Sequence, residues 1–425
     1  MTATHLVSSD AQTQIACERL DKFGLAVIEF NHALKRLDTV QCGKGLLAYA
    51  LGRGFGTQFG FIMAAAGSAV GLGNIWKFPY ITGEYGGGAF VLVYLVCIAL
   101  VGLPLMYAEL IIGRRGGSDV MGAMFQVAGH TIAGRLLAFL FGSLAVITGF
   151  LILSFYSVVA GWAVHFLAVS VGAIAMADGA EAAFKALTEN APLMAGWHTL
   201  FMALSVGVVA VGVQTGIERV TKALMPALVV ILILLLGYMV TVGGVSDALA
   251  FLFVPDVSKL SRDAVLEALG HAFFTLSLGM GCMVTYGSYL KSDARVVRDG
   301  IIISILDTFI ALLAGTVIFS VVFGQGGQVG AGPGLVFVTL PDLFAAMPGG
   351  MVMAVAFFVL LIFAAWSSAV SLLEVVVAWL VDQFGLPRLV ATLGAGAAIW
   401  GLGLACCFSL GIVDTLDNVT TMYLL

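Results

Sequence analysis

The sequence predicts an all-α polytopic membrane protein: two five-helix halves of opposite orientation, with the first and sixth helices broken. Three observations predict this fold. The composition is rich in apolar residues and poor in charge, the apolar residues fall into runs of bilayer length, and glycine pairs interrupt the first and sixth runs. Of 425 residues, 61% are hydrophobic and 10% are charged, against about 25% charged in a soluble domain. A soluble enzyme, a nucleic-acid binder and a disordered chain are excluded. Runs of roughly 20 apolar residues each suffice to cross a bilayer as helix.

Residues 1–52 are mixed and polar. Apolar spans then follow at about 58–80, 88–112, 136–169, 197–213, 223–243, 264–290, 300–323, 351–381 and 389–410. A tenth begins near 412 and reaches Leu425. No charged start followed by a compact apolar stretch opens residues 1–50, so no secretory signal is expected. The net charge of −5 says little; the placement of Lys and Arg decides orientation. With the N-terminus in the cytoplasm, fifteen of the nineteen basic residues are cytoplasmic, among them Arg114, Arg115, Arg135, Arg219, Lys222 and Arg388. Only Lys185, Lys259 and Arg262 fall outside, and Lys77 lies within a span. The six cysteines show no metal-ligand spacing and read as free thiols.

The interruptions are Gly71 and Gly73 in the first span, and Gly279 and Gly281 in the sixth. They occupy corresponding positions in the two halves. Unwound backbone is tolerable at membrane depth only where it lines a cavity or binds something, so symmetric breaks point to a transporter site at the midplane. Gly67 and Gly71 also form a GxxxG packing pattern. Spacing alone leaves both readings open.

The string Gly67-Ser68-Ala69-Val70-Gly71-Leu72-Gly73-Asn74-Ile75-Trp76-Lys77-Phe78-Pro79-Tyr80 closely resembles the first transmembrane helix of the neurotransmitter:sodium symporter family. The resemblance continues through Gly86–Phe90, Pro104–Glu109 and Phe273–Gly281, and covers about residue 53 to the end. Residues 1–52 resemble nothing in the family, and their place in the native product stays open. The register sets Leu425 inside the tenth span, short of the 11 or 12 spans of relatives. The expectation is a transporter domain from 53 to 425, truncated within its tenth helix.

The resemblance implies a sodium-coupled amino acid symporter working by alternating access, in the bacterial inner membrane. Asn-x-Ser/Thr and a cysteine pair are lacking in the 170–196 loop, which fits a bacterial source. Hard cations take oxygen ligands. By resemblance one sodium is held by the Ala69 carbonyl, Asn74, Thr275 and Asp307. A second is held by the carbonyls of Gly67, Val70 and Ala364 with the hydroxyls of Ser367 and Ser368. Many relatives hold Asn at the position of Asp307, and the animal ones add a chloride. Here Ala311, one turn on, lacks a hydroxyl or carboxylate, so a fixed charge at Asp307 implies transport that does not require chloride.

The substrate carboxylate is expected at the free N–H groups of Leu72 and Gly73, beside Ala69, Thr275, Ser368 and the hydroxyl of Tyr156. Gly71 stands where monoamine carriers have an aspartate, which favours an amino acid. Ile152, Phe274, Ser277, Met280 and Leu372 are expected round its side chain, and they suit a bulky hydrophobic or aromatic one. Lys77 and Asp417 are the implied outer gate, with His271 either its neighbour or plain core. Asp382 and Tyr289 match inner gate residues, and their usual basic partner falls at Gly52, so Arg53 is the implied substitute. By resemblance, Glu109 accepts hydrogen bonds from the unwound sixth span. Gly216 and Pro226 read equally as a hinge or as a helix start. No hydrolytic or metal-catalytic constellation appears, so no enzyme is expected. A sodium- and amino-acid-binding sensor or defective fragment is the alternative, and a channel is disfavoured by the two gates. Oligomeric state has no sequence signature here.

Overall fold

The computed structural model describes residues 54–172, 174, 179–256, 258, 260–290, 294–327 and 334–425. The polar head 1–52, Arg53, Lys259 and Lys291 lie outside the described residues. The described chain is almost entirely helical, with one isolated bridge, Gly87 to Pro255.

The ten spans fall into two halves of the same order, each a broken helix followed by four others. The first half runs Gln58–Glu84, Gly88–Gly116, Ile132–Ser170, Ala191–Val211 and Val213–Val242. The second runs Arg262–Ser288, Val296–Gly324, Gly350–Phe384, Arg388–Phe408 and Leu410–Leu424. Five spans per half is an odd number, so the halves point in opposite directions. A short helix separates the second and third members of each half, at Val120–Ala128 and Leu335–Ala346. Neither short helix is anticipated by the apolar runs, nor are those at Ala180–Thr188 and Val245–Phe253.

Among the described residues seven helices are continuous and apolar enough to cross a membrane, and the first span adds a pair bent by 46°. Helix ends extend past the apolar runs because the caps lie beyond them. Thr131 accepts a hydrogen bond from Gly134 N, so the third span starts at Ile132 rather than near 136. Asn190 does the same for Leu193, and the fourth span starts at Ala191 rather than near 197. The fifth begins as a wide turn, Val213–Glu218, then runs unbroken through Pro226. Pro226 sits inside this helix and is not its start.

The long third and eighth spans pack along each other, and the first span lies against the fifth, seventh and eighth. Buried faces form one apolar core. Outward faces carry apolar side chains such as Leu100, Ile147, Leu234 and Val352, as expected where lipid is the solvent. Cys97, Cys282, Cys406 and Cys407 are free thiols, and Cys17 and Cys42 lie outside the described residues.

Candidate ion and substrate site

The first span stops being helical at Val70, whose ψ of 100° is extended, and resumes as a wide turn at Gly73–Lys77. The sixth span stops at Thr275 and resumes at Cys282. Its gap turns through left-handed backbone at Ser277, Gly279 and Gly281, with φ of 54°, 79° and 79°. Glycine adopts this region freely, but Ser277 is held there at a cost. It is the one non-glycine residue with positive φ among the described residues.

Several of the freed backbone groups find side-chain partners. Gly71 N donates to Asn74 Oδ1 at 3.0 Å, and Leu72 N donates to Tyr156 Oη at 3.0 Å. Gly279 N donates to Glu109 Oε1 at 2.7 Å. The Ser368 hydroxyl faces three carbonyls of the first break, Gly67, Ser68 and Val70, at 3.2, 3.0 and 3.3 Å. Gly71 has no room for a side chain: a Cβ there would lie 2.5 Å from Ser368 Oγ and 2.8 Å from Tyr156 Oη.

One cluster surrounds Asp307, which is fully buried. Asn74 Nδ2 donates to its carboxylate at 2.7 Å, and Thr275 Oγ1 donates at 3.0 Å. These two donors are neutral. Ala69, which ends the first half-helix, is buried close by in sequence. A buried carboxylate with neutral partners and further amide and hydroxyl oxygens suits a hard monovalent cation. A second cluster joins the first break to the eighth span. There Ser367 Oγ donates to the Ala364 carbonyl at 3.0 Å, beside Ser368 and the carbonyls of Gly67 and Val70. Its atoms too are all oxygens.

Between the breaks, Phe274 lies over Gly73, where a Cβ would sit 3.1 Å from the ring. The Met280 carbonyl and Leu372 meet across the bare face of Gly149, and Ile152 is buried one turn away. Ser277 Oγ donates to the Ser68 carbonyl at 2.8 Å, which ties the two breaks together.

Side chains meet over the site at both ends. At one end Lys77 Nζ is 3.6 Å from Asp417 Oδ2 and 3.4 Å from Thr421 Oγ1, and 5.5 Å above the Phe274 ring. A cavity of about 200 Å³ lies beyond, lined by Tyr80, Glu84, Tyr85 and Glu267 among others. His271 is buried and flanked by the Phe78 and Tyr94 rings, with centroids at 5.9 and 5.4 Å.

At the other end Phe55 is buried against Phe61, Tyr286 and Tyr289. Glu218, from the start of the fifth span, accepts from Gly56 N at 2.7 Å, from Thr57 Oγ1 at 2.9 Å and from Lys222 Nζ. Asp299 accepts from Gln58 Nε2 at 2.7 Å. Tyr289 donates to Glu374 at 2.6 Å, and Arg388 pairs with both oxygens of the same carboxylate. Asp382 accepts from Asp119 N at 2.9 Å. The implied partner Arg53 lies outside the described residues. Burial, and then the Asp382 carboxylate, push the Asp119 carboxyl up to about 7.

Sequence reasoning missed Glu218, Asp299 and Glu374 as closing residues, and took Arg388 only as a topology marker. Glu374 had a signal: a lone acid inside an apolar run is rarely idle.

Two helices broken at equivalent places in inverted halves, with polar groups gathered at both breaks, define a secondary transporter. The chain belongs to the sodium:neurotransmitter symporter family, whose model matches residues 53–179 and 189–424. It is 40% identical over 361 residues to YhdH, an uncharacterized sodium-dependent transporter of Bacillus subtilis, covering 84% of this chain and 79% of the relative. An uncharacterized sodium-dependent transporter of Haemophilus influenzae is 32% identical over 338 residues, covering 77% of this chain and 74% of the relative. The crystal structure of MhsT in complex with L-phenylalanine aligns with a TM-score of 0.81 at 44% identity, covering 88% of this chain and 87% of that one. The protein is thus a multi-span, sodium-dependent transporter and not an enzyme.

Proposed function

We propose that the protein imports a bulky hydrophobic or aromatic amino acid with two sodium ions per cycle, without chloride, across a bacterial inner membrane. Its N-terminus is cytoplasmic, since the basic residues concentrate on that side. The observation that carries this reading is the first break. Leu72 N–H, the Tyr156 hydroxyl and the buried Asp307 cluster converge there, and Gly71 leaves no room for an acidic side chain.

The half-helix that starts at Gly73 presents a positive dipole end, which suits a carboxylate. Tyr156 turns its own proton towards that carboxylate while accepting from Leu72 N. Asn74, Thr275, Asp307 and the Ala69 carbonyl hold one sodium against the same carboxylate. Opposite unit charges about 4 Å apart attract by about 4 kcal/mol at an effective dielectric of 20, enough to make ion and substrate binding strongly interdependent. The second sodium takes Ser367, Ser368 and the carbonyls of Gly67, Val70 and Ala364. Phe274, Ser277, Met280, Ile152 and Leu372 surround the substrate side chain. MhsT, 44% identical, is a structure with L-phenylalanine bound, which supports an aromatic substrate here. Lys77 with Asp417 forms the outer gate, and Tyr289, Asp382 and Arg53 belong to the inner one.

The test is thermal stabilisation of the purified chain by a panel of amino acids and monoamines, with sodium or potassium, followed by uptake into vesicles. Stabilisation by hydrophobic or aromatic amino acids that needs sodium, and sodium-driven uptake, are expected. Binding without uptake would favour a sensor. Loss of uptake when gluconate replaces chloride would overturn the chloride clause.

A further inference from the structure

We propose that Ser68 is a positioning residue that couples the second sodium to the substrate through one shared backbone carbonyl. The inference rests on the site assignment just given, in which Ser368 touches sodium and Ser277 faces the substrate.

Ser68 is buried where the first, sixth and eighth spans meet. Its carbonyl is freed by the break and accepts two hydrogen bonds, from Ser277 Oγ at 2.8 Å and from Ser368 Oγ at 3.0 Å. Its own hydroxyl lies 3.2 Å from Ser277 Oγ. The Ser277 side chain is therefore held between the Ser68 hydroxyl and the Ser68 carbonyl. The left-handed backbone at Ser277 aims it there.

A sodium ion on Ser368 takes a lone pair of that hydroxyl, so the proton must point away from the ion. Of the three carbonyls that Ser368 faces, Gly67 and Val70 are assigned to the sodium itself. The Ser68 carbonyl is the remaining acceptor. Sodium thus locks the Ser368 proton onto the Ser68 oxygen, the same oxygen that fixes the Ser277 hydroxyl beside the substrate. Hydrogen bonds that share an acceptor or form a chain polarise one another. Binding at either end presets the orientation at the other, and thermodynamic linkage makes this effect reciprocal.

The readout is the coupling factor: the ratio of amino acid Kd in potassium to that in sodium, measured on the purified full chain by thermal shift and radioligand binding. Ser68→Ala keeps the shared carbonyl but removes the hydroxyl that holds Ser277 Oγ against it, and should lower this factor about fivefold, the worth of one net hydrogen bond of about 1 kcal/mol. Ser68→Thr keeps a hydroxyl and should restore most of it. Ser277→Gly removes the donor to the shared carbonyl itself, suits the left-handed backbone, and should lose at least as much of the coupling. A coupling factor unchanged in both Ser68→Ala and Ser277→Gly would overturn the proposal, even where overall stability falls. If the wild-type chain binds no amino acid in sodium, the site assignment itself fails and the coupling with it.

Discussion

The two proposed closures of the site, outer and inner, are built differently. The outer one is thin: a single ammonium, Lys77, reaches a carboxylate of Asp417 that is 27% exposed, at 3.6 Å. The inner one is thick. Buried carboxylates at Glu218, Asp299 and Glu374 each gather donors from a different part of the chain, and Phe55 adds a packed ring. Lys77 is buried but Asp417 keeps contact with solvent, which screens the pair from one side, whereas breaking a fully buried pair strands a charge. In the proposed orientation, opening to the outside disturbs few contacts. Opening to the inside would then mean dismantling a network that spans the first, fifth, sixth, seventh, eighth and ninth helices.

The largest test of this difference is Arg388→Ala. It leaves Glu374 buried with only Tyr289 as donor, and should cost about 3–5 kcal/mol of stability, seen as a large fall in Tm with loss of uptake. A fall no larger than that from Lys77→Ala would erase the distinction between the two closures. Glu218→Gln should come next, because it weakens charge-assisted bonds worth about 1.5–3 kcal/mol each. Hydrogen exchange over residues 54–60 should speed up at least tenfold while the outer gate is unaffected. Unchanged exchange there would remove Glu218 from the inner closure.

A smaller effect is set by pH. The Asp119 carboxyl titrates near about 7 in the folded chain, against 3.8 for an unperturbed group. A raised acid pKa means that the folded state holds the proton more tightly. Its stabilising share is full below about pH 4 and is lost as pH rises through about 7. Tm should therefore decline over that window, and Asp119→Asn, which keeps the cap on Met121 N, should flatten the decline. The smallest change is expected from Lys77→Arg. A forked guanidinium can grip Asp417 with two bonds, so substrate release to the outside should slow by a few-fold. Faster release would show that the thin gate depends on the compact ammonium.

Much of the fold was legible because the bilayer imposes a length and a polarity on each span. The glycine pairs located both breaks correctly, since unwound backbone at depth needs residues that turn freely. The short helices between spans escaped because nine residues leave too brief a periodicity to stand out. The residues round Asp307 were readable as polar groups in apolar runs within a known motif. The inner network was not. Glu218 and its partners Gly56 and Thr57 are more than 160 residues apart. Arg388 reaches Glu374 only because the turn after the eighth span folds the ninth back against it. Tyr289 donates to Glu374, the carboxylate that Arg388 also holds, and nothing in the local sequence of either residue announces that pairing.

The crowded glycine at position 71 bears on how this protein can change over generations. Any larger residue there collides with the hydroxyls of Ser368 and Tyr156. One of these is assigned to an ion and the other to the solute. A lineage drifting towards a different solute class therefore cannot do so at this position in one step. It must first accept a weaker hold on the ion that drives the cycle, or remodel two other helices in advance.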